Sequence, residues 1–314
     1  MRKILSLWAL CLVLGTACGR PPQEMPGSPL RVLVSILPQR GFVEAVGGEN
    51  VSVHVLIPPG ASPATYDPKP MDLVRVEEAD VFFRIGHIGF EQAHFSQLRS
   101  LNPGMRVVDT SAGLELRRFG VYESHAHAHD EQGQEEHAGE ETGAEEGDAV
   151  AGGVDPHVWL SPLAVKLQVE AIARTLAELD PERAETYRNN AAGYSARLDD
   201  LHAELTALLS GLESRTILVF HPAWGYFADA YGLKQLAIEQ AGKDPTAEQL
   251  RHIIDTARGA DIKVIFIQAQ FSRELAASVA QEIDGVVVSI DPLAEDYIAN
   301  LRSVGQTVHD YLNR

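Results

Sequence analysis

Apolar residues in this chain gather in short continuous runs, and between the runs they recur at helical spacing. Val264-Ile265-Phe266-Ile267 and Val286-Val287-Val288 are two of the runs, rich in β-branched side chains. Such runs suit strands buried on both faces of a parallel sheet. The pattern predicts strands at 31–36, 51–57, 80–85 and 105–109, then at 216–220, 234–238, 262–268 and 285–290, with helix-length segments between them. Strand–helix alternation at this spacing predicts an α/β fold: two lobes, each with a mainly parallel four-stranded sheet flanked by helices.

Between the two groups of strands the period becomes purely helical. Ser161 is placed to cap a helix that starts at Pro162 and ends near Asp180. From Pro181 onward Tyr187, Ala191, Tyr194, Leu198, Leu201, Leu205, Leu208 and Leu212 recur in steps of three and four. A helix over 181–212 would run about 48 Å at 1.5 Å per residue. Its seam fits a coiled coil or a rigid strut packed along both lobes. The strut is favoured, because the seam stops where a new α/β unit starts. The expected layout is therefore an N-terminal lobe at 30–180, a long interlobe helix at 181–212 and a C-terminal lobe at 213–314.

The first residues read as a targeting segment. Arg2 and Lys3 precede an apolar run from Ile4 to Leu14, too short to span a bilayer as a helix. Gly15-Thr16-Ala17-Cys18 follows, which resembles a bacterial lipoprotein signal with Cys18 as the lipidated residue. Ordinary secretory cleavage nearby is the alternative. Residues 1–17 are thus expected to be a signal peptide and 18–29 a tether, giving an exported protein, periplasmic or at the cell surface, held to the membrane through a lipid anchor on Cys18. Of the two cysteines the other is Cys11, inside the signal, so the mature chain has no internal disulfide and no thiolate metal site.

Net charge is −18, which argues against a nucleic-acid partner. Much of the excess is local: from Glu123 to Asp148 there are ten acidic residues and no lysine or arginine. The surrounding loop, 122–153, has no apolar period and is expected to be disordered. It also carries His125, His127, His129 and His137. It reads either as a solvated insertion or as a weak metal-collecting arm, since ordering a floppy loop around an ion costs conformational entropy.

Candidate chemistry lies outside that loop. His157 sits in Asp155-Pro156-His157-Val158-Trp159-Leu160, His221 in Phe220-His221-Pro222-Ala223-Trp224-Gly225, and Asp291 in Ser289-Ile290-Asp291-Pro292-Leu293. Two imidazoles and a carboxylate, each delivered at a loop or a strand end, form a donor set that suits zinc. Strand ends are also where open α/β sheets collect ligands. Taken singly, His-Pro after a strand is often a capped turn, and Asp291-Pro292 could merely start the last helix. His87, in the loop after the third strand, is a candidate fourth donor, or else a loop histidine bonded to backbone. Glu91 is a weaker one that also suits a helix start. Glu239 and Gln240 are expected behind the donors. Trp159, Trp224 and Phe227 are expected to pack and dry the cleft, while His54, His94, His202, His252 and His309 read as structural or surface residues.

In this order the motifs resemble the metal-binding family of solute-binding proteins of ABC transporters, the branch feeding zinc or manganese importers. The resemblance also rests on Ser35-Ile36-Leu37-Pro38, Val46-Gly47-Gly48, Pro58-Pro59-Gly60, and Tyr297 and Asn300 after Asp291. It implies two α/β lobes joined by a long helix with one ion between them. It also implies His157, His221 and Asp291 as ligands, and zinc (Zn2+) rather than manganese (Mn2+), because a histidine stands at 221 and the chain carries a histidine-acid loop. Where the family carries its first histidine this chain has Ala64, which cannot coordinate; His87 is the candidate substitute. The implied partners are an ABC permease and its ATPase subunit, served by a monomer that is not itself an enzyme. No phosphate-binding Gly-x-x-x-x-Gly-Lys-Ser/Thr loop occurs. The rival is a zinc hydrolase with an open His-His-Asp site, against which stands the lack of any His-Glu-x-x-His arrangement. Ligation needs neutral imidazoles, so affinity is expected to fall below about pH 6.

Overall fold

The computed structural model describes residues 28–119, 153–239 and 245–313. The first group of elements runs β1 (Leu30–Val34), α1 (Leu37–Gly47), β2 (Val51–Val55), α2 (Pro70–Glu78), β3 (Val81–Arg84), α3 (Gly89–Leu101) and β4 (Arg106–Asp109). Two helices follow, α4 (Pro162–Leu179) and α5 (Ala184–Ser210). The second group is β5 (Thr216–Val219), α6 (Gly225–Ala230), β6 (Lys234–Ala237), α7 (Ala247–Gly259), β7 (Val264–Ile267), α8 (Arg273–Glu282), β8 (Val286–Ser289) and α9 (Tyr297–Leu312).

All eight expected strands are present, and they form two four-stranded sheets of the same topology, β2-β1-β3-β4 and β6-β5-β7-β8. Every strand pair is parallel, with Val32 opposite both Val53 and Val81 in the first sheet and Leu218 opposite Ile265 in the second. In this order the connections reverse between β1 and β3, and again between β5 and β7. The loops after those four strands therefore flank the crevices where α/β sheets take ligands.

Ser161 caps α4 as expected, its hydroxyl accepting from the Ala164 amide at 3.4 Å. The long helix differs at its start. Pro181–Arg183 form a 3-10 turn and the α-helix begins at Ala184, so its 27 residues span about 40 Å rather than 48. Asp180 explains the tighter turn: its Oδ2 accepts from Arg183 at 2.6 Å and from the Tyr187 hydroxyl at 2.7 Å, drawing the chain inward. Beyond that point the apolar seam is buried from Tyr187 to Leu205, then passes to Leu209, while Leu208 is only partly covered. The helix packs against α1, α4 and α9, which is the strut geometry. One apolar core runs from Val32 and Phe83 through that seam to Val219 and Phe266; a second, around Ile265 and Ile253, fills the other face of the second sheet.

The expected signal, residues 18–27 of the tether with Cys18, and His125, His127, His129 and His137 lie outside the described residues, as does Gln240. Gly153, expected as the last loop residue, is described, and its carbonyl accepts from the Phe119 amide at 2.9 Å.

Gly305 on α9 meets Leu205 on α5 so closely that a Cβ at 305 would fall 2.2 Å from Leu205 Cδ2. Leu205→Ala removes the knob that fills this contact and should lower the unfolding free energy by about 2–5 kcal/mol, read by chemical denaturation.

Candidate metal centre

His221 enters from the loop after β5, at the reversal point of the second sheet. His157 comes from the other side, in the turn before α4, and the two rings meet edge to face with centroids 5.3 Å apart. Each imidazole has a carboxylate behind it. His157 Nδ1 lies 2.7 Å from Asp155 Oδ1, which also accepts the His157 backbone amide at 3.0 Å. His221 Nδ1 lies 2.8 Å from Glu239 Oε2, in the role expected of Glu239. An ionised carboxylate only accepts, so in both pairs Nδ1 carries the proton, and in the neutral ring Nε2 keeps its lone pair for a cation.

The surroundings are dry. Phe271 stacks on His221 at 5.0 Å, Trp159 lies 5.2 Å from His157, and Phe119 meets the His157 ring edge to face at 6.4 Å. Trp159, Trp224 and Phe227 are all buried, as expected. Burial holds the His157 pKa below its ordinary 6.5, against the opposite pull of Asp155. Glu239 Oε1 and Gln268 Oε1 are buried acceptors with no hydrogen-bond partner in the structure, and Gln268 Nε2 donates to the His221 carbonyl at 3.1 Å. A histidine pair backed by carboxylates and ringed by unanswered acceptors is an environment that favours a divalent cation.

Asp291 and His87 sit differently. Asp291 follows β8, its Oδ1 accepting from the Leu293 amide at 2.8 Å and its carbonyl accepting from Asn300 Nδ2 at 2.6 Å. It lines a pocket with Pro58, Pro59, Gly60, Gln270 and Leu293. It does not cap the last helix; Asp296 does, accepting from the Ala299 amide at 3.1 Å. The neighbouring Pro292 carbonyl accepts from Trp159 Nε1 at 2.8 Å, which fastens the Asp291 loop to the His157 segment. His87 is half-buried between β3 and α3. Among the described residues no three His, Cys, Asp or Glu side chains stand close enough to share one ion. The structure thus pairs His157 with His221 and leaves Asp291 and His87 outside that group.

The match to known proteins is family-wide. Residues 32–311 match the model for ZnuA, the periplasmic component A of the zinc-uptake complex. The chain belongs to that family. It is 36% identical to ZnuA in a crystal structure, with a TM-score of 0.79 and coverage of 91% of this chain and 100% of that one. A zinc-bound ZnuA deletion mutant is 35% identical, with a TM-score of 0.78 and coverage of 91% and 98%. The high-affinity zinc uptake system protein ZnuA of Bacillus subtilis (strain 168) is 29% identical over 282 residues, 88% of this chain and 83% of that protein. These likenesses bear out the two-lobed α/β fold.

Within this ZnuA-family chain Ala64 is exposed, and its loop is held by backbone, with Pro63 O accepting from the Phe90 amide at 2.9 Å. A Cβ on Gly89 would lie 2.8 Å from Ala64 O, so that contact needs glycine. Sequence reasoning gave no role to Asp155, Arg117 or Phe271. The Asp-x-His spacing could have flagged Asp155, since an aspartate two residues ahead often bonds the following backbone. Nothing in the local pattern marks Phe271 or Arg117. Of the bland histidine assignments, His54 pairs with Asp72 and His94 with Asp67, each at 3.2 Å.

Glu91 opens α3 as expected, but it is fully buried there. It accepts from the Ser35 hydroxyl, from the Gly86 amide, and from the Ile85 amide at 2.8 Å, tying the ends of β1 and β3 together. Burial pushes its pKa from the ordinary 4.5 to about 7, outweighing those hydrogen bonds. The folded state therefore binds this proton more tightly than the unfolded one. Its contribution to stability is full below about 4.5 and is lost as pH rises through about 7. Glu91→Gln, followed by denaturant titration at several pH values, should flatten that decline.

Proposed function

We propose that the protein captures zinc between its two lobes as the solute-binding component of an ABC importer, and hands the ion to a membrane permease powered by a separate ATPase subunit. The observation that carries this reading is the His157–His221 pair, 5.3 Å apart, with both Nδ1 atoms held by carboxylates and both Nε2 atoms left for metal. His157 and His221 are the primary ligands. Asp291 is the third, reached by a shift of its loop toward the pair. His87 is a weaker fourth, and water is its competitor for that position. Zinc in the relatives supports the choice of ion. Manganese is the second possibility, because a related solute-binding protein of Pseudomonas aeruginosa, FpvC, 25% identical and with a TM-score of 0.74, was solved with Mn2+.

Export, with a lipid anchor on Cys18, puts the protein where an importer needs it. The loop histidines His125, His127, His129 and His137 serve as a low-affinity collector. Carriage fits better than hydrolysis, because residues 32–311 match the periplasmic component of a zinc-uptake complex.

Chelator competition with metal analysis should find one tight zinc per chain. His157→Ala or His221→Ala should weaken it at least about 100-fold, and Asp291→Ala by about 10-fold. Full affinity in either histidine variant sinks the reading. Affinity should fall with acidification as protons compete for the imidazoles. Because burial lowers the His157 pKa, proton competition at that ligand begins below 6.5.

A further inference from the structure

Residues 117–119 pair antiparallel with 153–155: Arg118 opposes Val154, and the Asp155 amide donates to the Arg117 carbonyl at 2.8 Å. The pairing brings the Arg117 guanidinium to Asp155, the carboxylate behind His157. Arg117 Nη1 stands 3.5 Å from Asp155 Oδ2, and Arg117 Nε donates to Asp229 Oδ2 at 2.8 Å. Asp229 lies on α6, in the second group of elements. Tyr226 of the same helix adds a second fastening: its hydroxyl accepts from the Arg117 amide at 2.8 Å and donates to the Asp155 carbonyl at 3.1 Å. The passage exists because residue 225 is glycine. A Cβ there would lie 2.5 Å from Arg117 Nη1 and 2.8 Å from Asp155 Oδ2.

We propose that Arg117 is a positioning residue for metal capture, holding the carboxylate that orients His157 from an anchor on the second lobe, Asp229. This inference rests on reading His157 as a zinc ligand. Asp155 is completely buried, and a buried carboxylate needs a counter-charge. Arg117 supplies it as an ion pair 3.5 Å from Oδ2, an oxygen that has no hydrogen-bond partner, while Oδ1 is turned toward the imidazole. The planar fork of arginine lets one side chain face two carboxylates; an ammonium is a point charge and cannot hold both in fixed directions. Orientation of a ligand in one lobe thereby depends on contact with the other.

The test uses the full mature chain. Zinc affinity is measured by chelator competition, and ligand geometry by the visible absorption of bound Co2+ and the ¹⁵N shifts that report histidine tautomers. Arg117→Gln should weaken zinc about 10-fold and change both spectra, and Arg117→Lys should restore only part of the loss. Asp229→Asn changes an exposed carboxylate, 61% accessible, and should fold normally; it should weaken zinc about 3-fold. The double variant should be no weaker than Arg117→Gln alone, because both changes break one chain of contacts. Wild-type affinity and spectra in Asp229→Asn, or strict additivity in the double variant, overturns the proposal. His157→Ala separates the two levels. If it binds zinc like wild type, the ligand reading is the one that fails; if it loses zinc while Asp229→Asn changes nothing, only the role of Arg117 fails.

Discussion

The apolar stripe of α5, from Tyr187 to Leu209, is the constraint on which the rest of the molecule depends. It lies against α1 from the first group of elements and α9 from the second, and Phe42 meets Tyr297 directly at 5.1 Å. The two lobes therefore do not have separate cores joined by a thread. They share one. Each fully buried leucine or aromatic on the stripe contributes about 1.5–3 kcal/mol, so a wide hinge motion that exposed several of them would cost more than a bound ion readily returns. On the proposed reading, capture works through local shifts of loops around a frame that is already assembled.

That frame explains why the histidine pair is so fully supported. Identical strand order in the two sheets puts the loops after β5 and β7 beside each other, so Gln268 and Phe271 stand next to His221. The turn before α4 brings His157 to the same place from the opposite side. Carboxylates behind both imidazoles set the tautomer; at His157 burial resists an imidazolium while Asp155 pulls the other way, and burial wins. A neutral ring with a free Nε2 is the form a cation wants, and the proton is its main competitor.

Much of this was readable from the sequence, and the failures have physical reasons. Buried parallel strands advertise themselves through local composition, which is why all eight were found, with ends such as 262–268 contracting to Val264–Ile267 where the ladder stops. The start of α5 was misjudged because side-chain bonds from Asp180, which periodicity cannot see, wind the first turn tighter. His157 and His221 stood out through their motifs. Arg117 did not, since its partner Asp229 lies 112 residues away and only the folded chain joins them. Asp291 was singled out by motif order, whereas the turn it makes with Leu293 is a local bond that motif order does not reveal.

The loop after β2 brings no metal-binding side chain at position 64. With alanine at 64, the loop contributes shape: Pro58, Pro59 and Gly60 wall the pocket that Asp291 enters. On the proposed reading, fewer protein donors reach the ion than in relatives with a histidine there, and each remaining donor must be better oriented to compensate. That places more weight on Asp155 and Glu239, whose bonds fix the two rings before any ion arrives and so reduce the ordering cost of binding. Prising apart two contacts, Trp159 with Pro292 and Arg117 with Asp229, would loosen the Asp291 loop and the orientation of His157 together, without breaking the shared core.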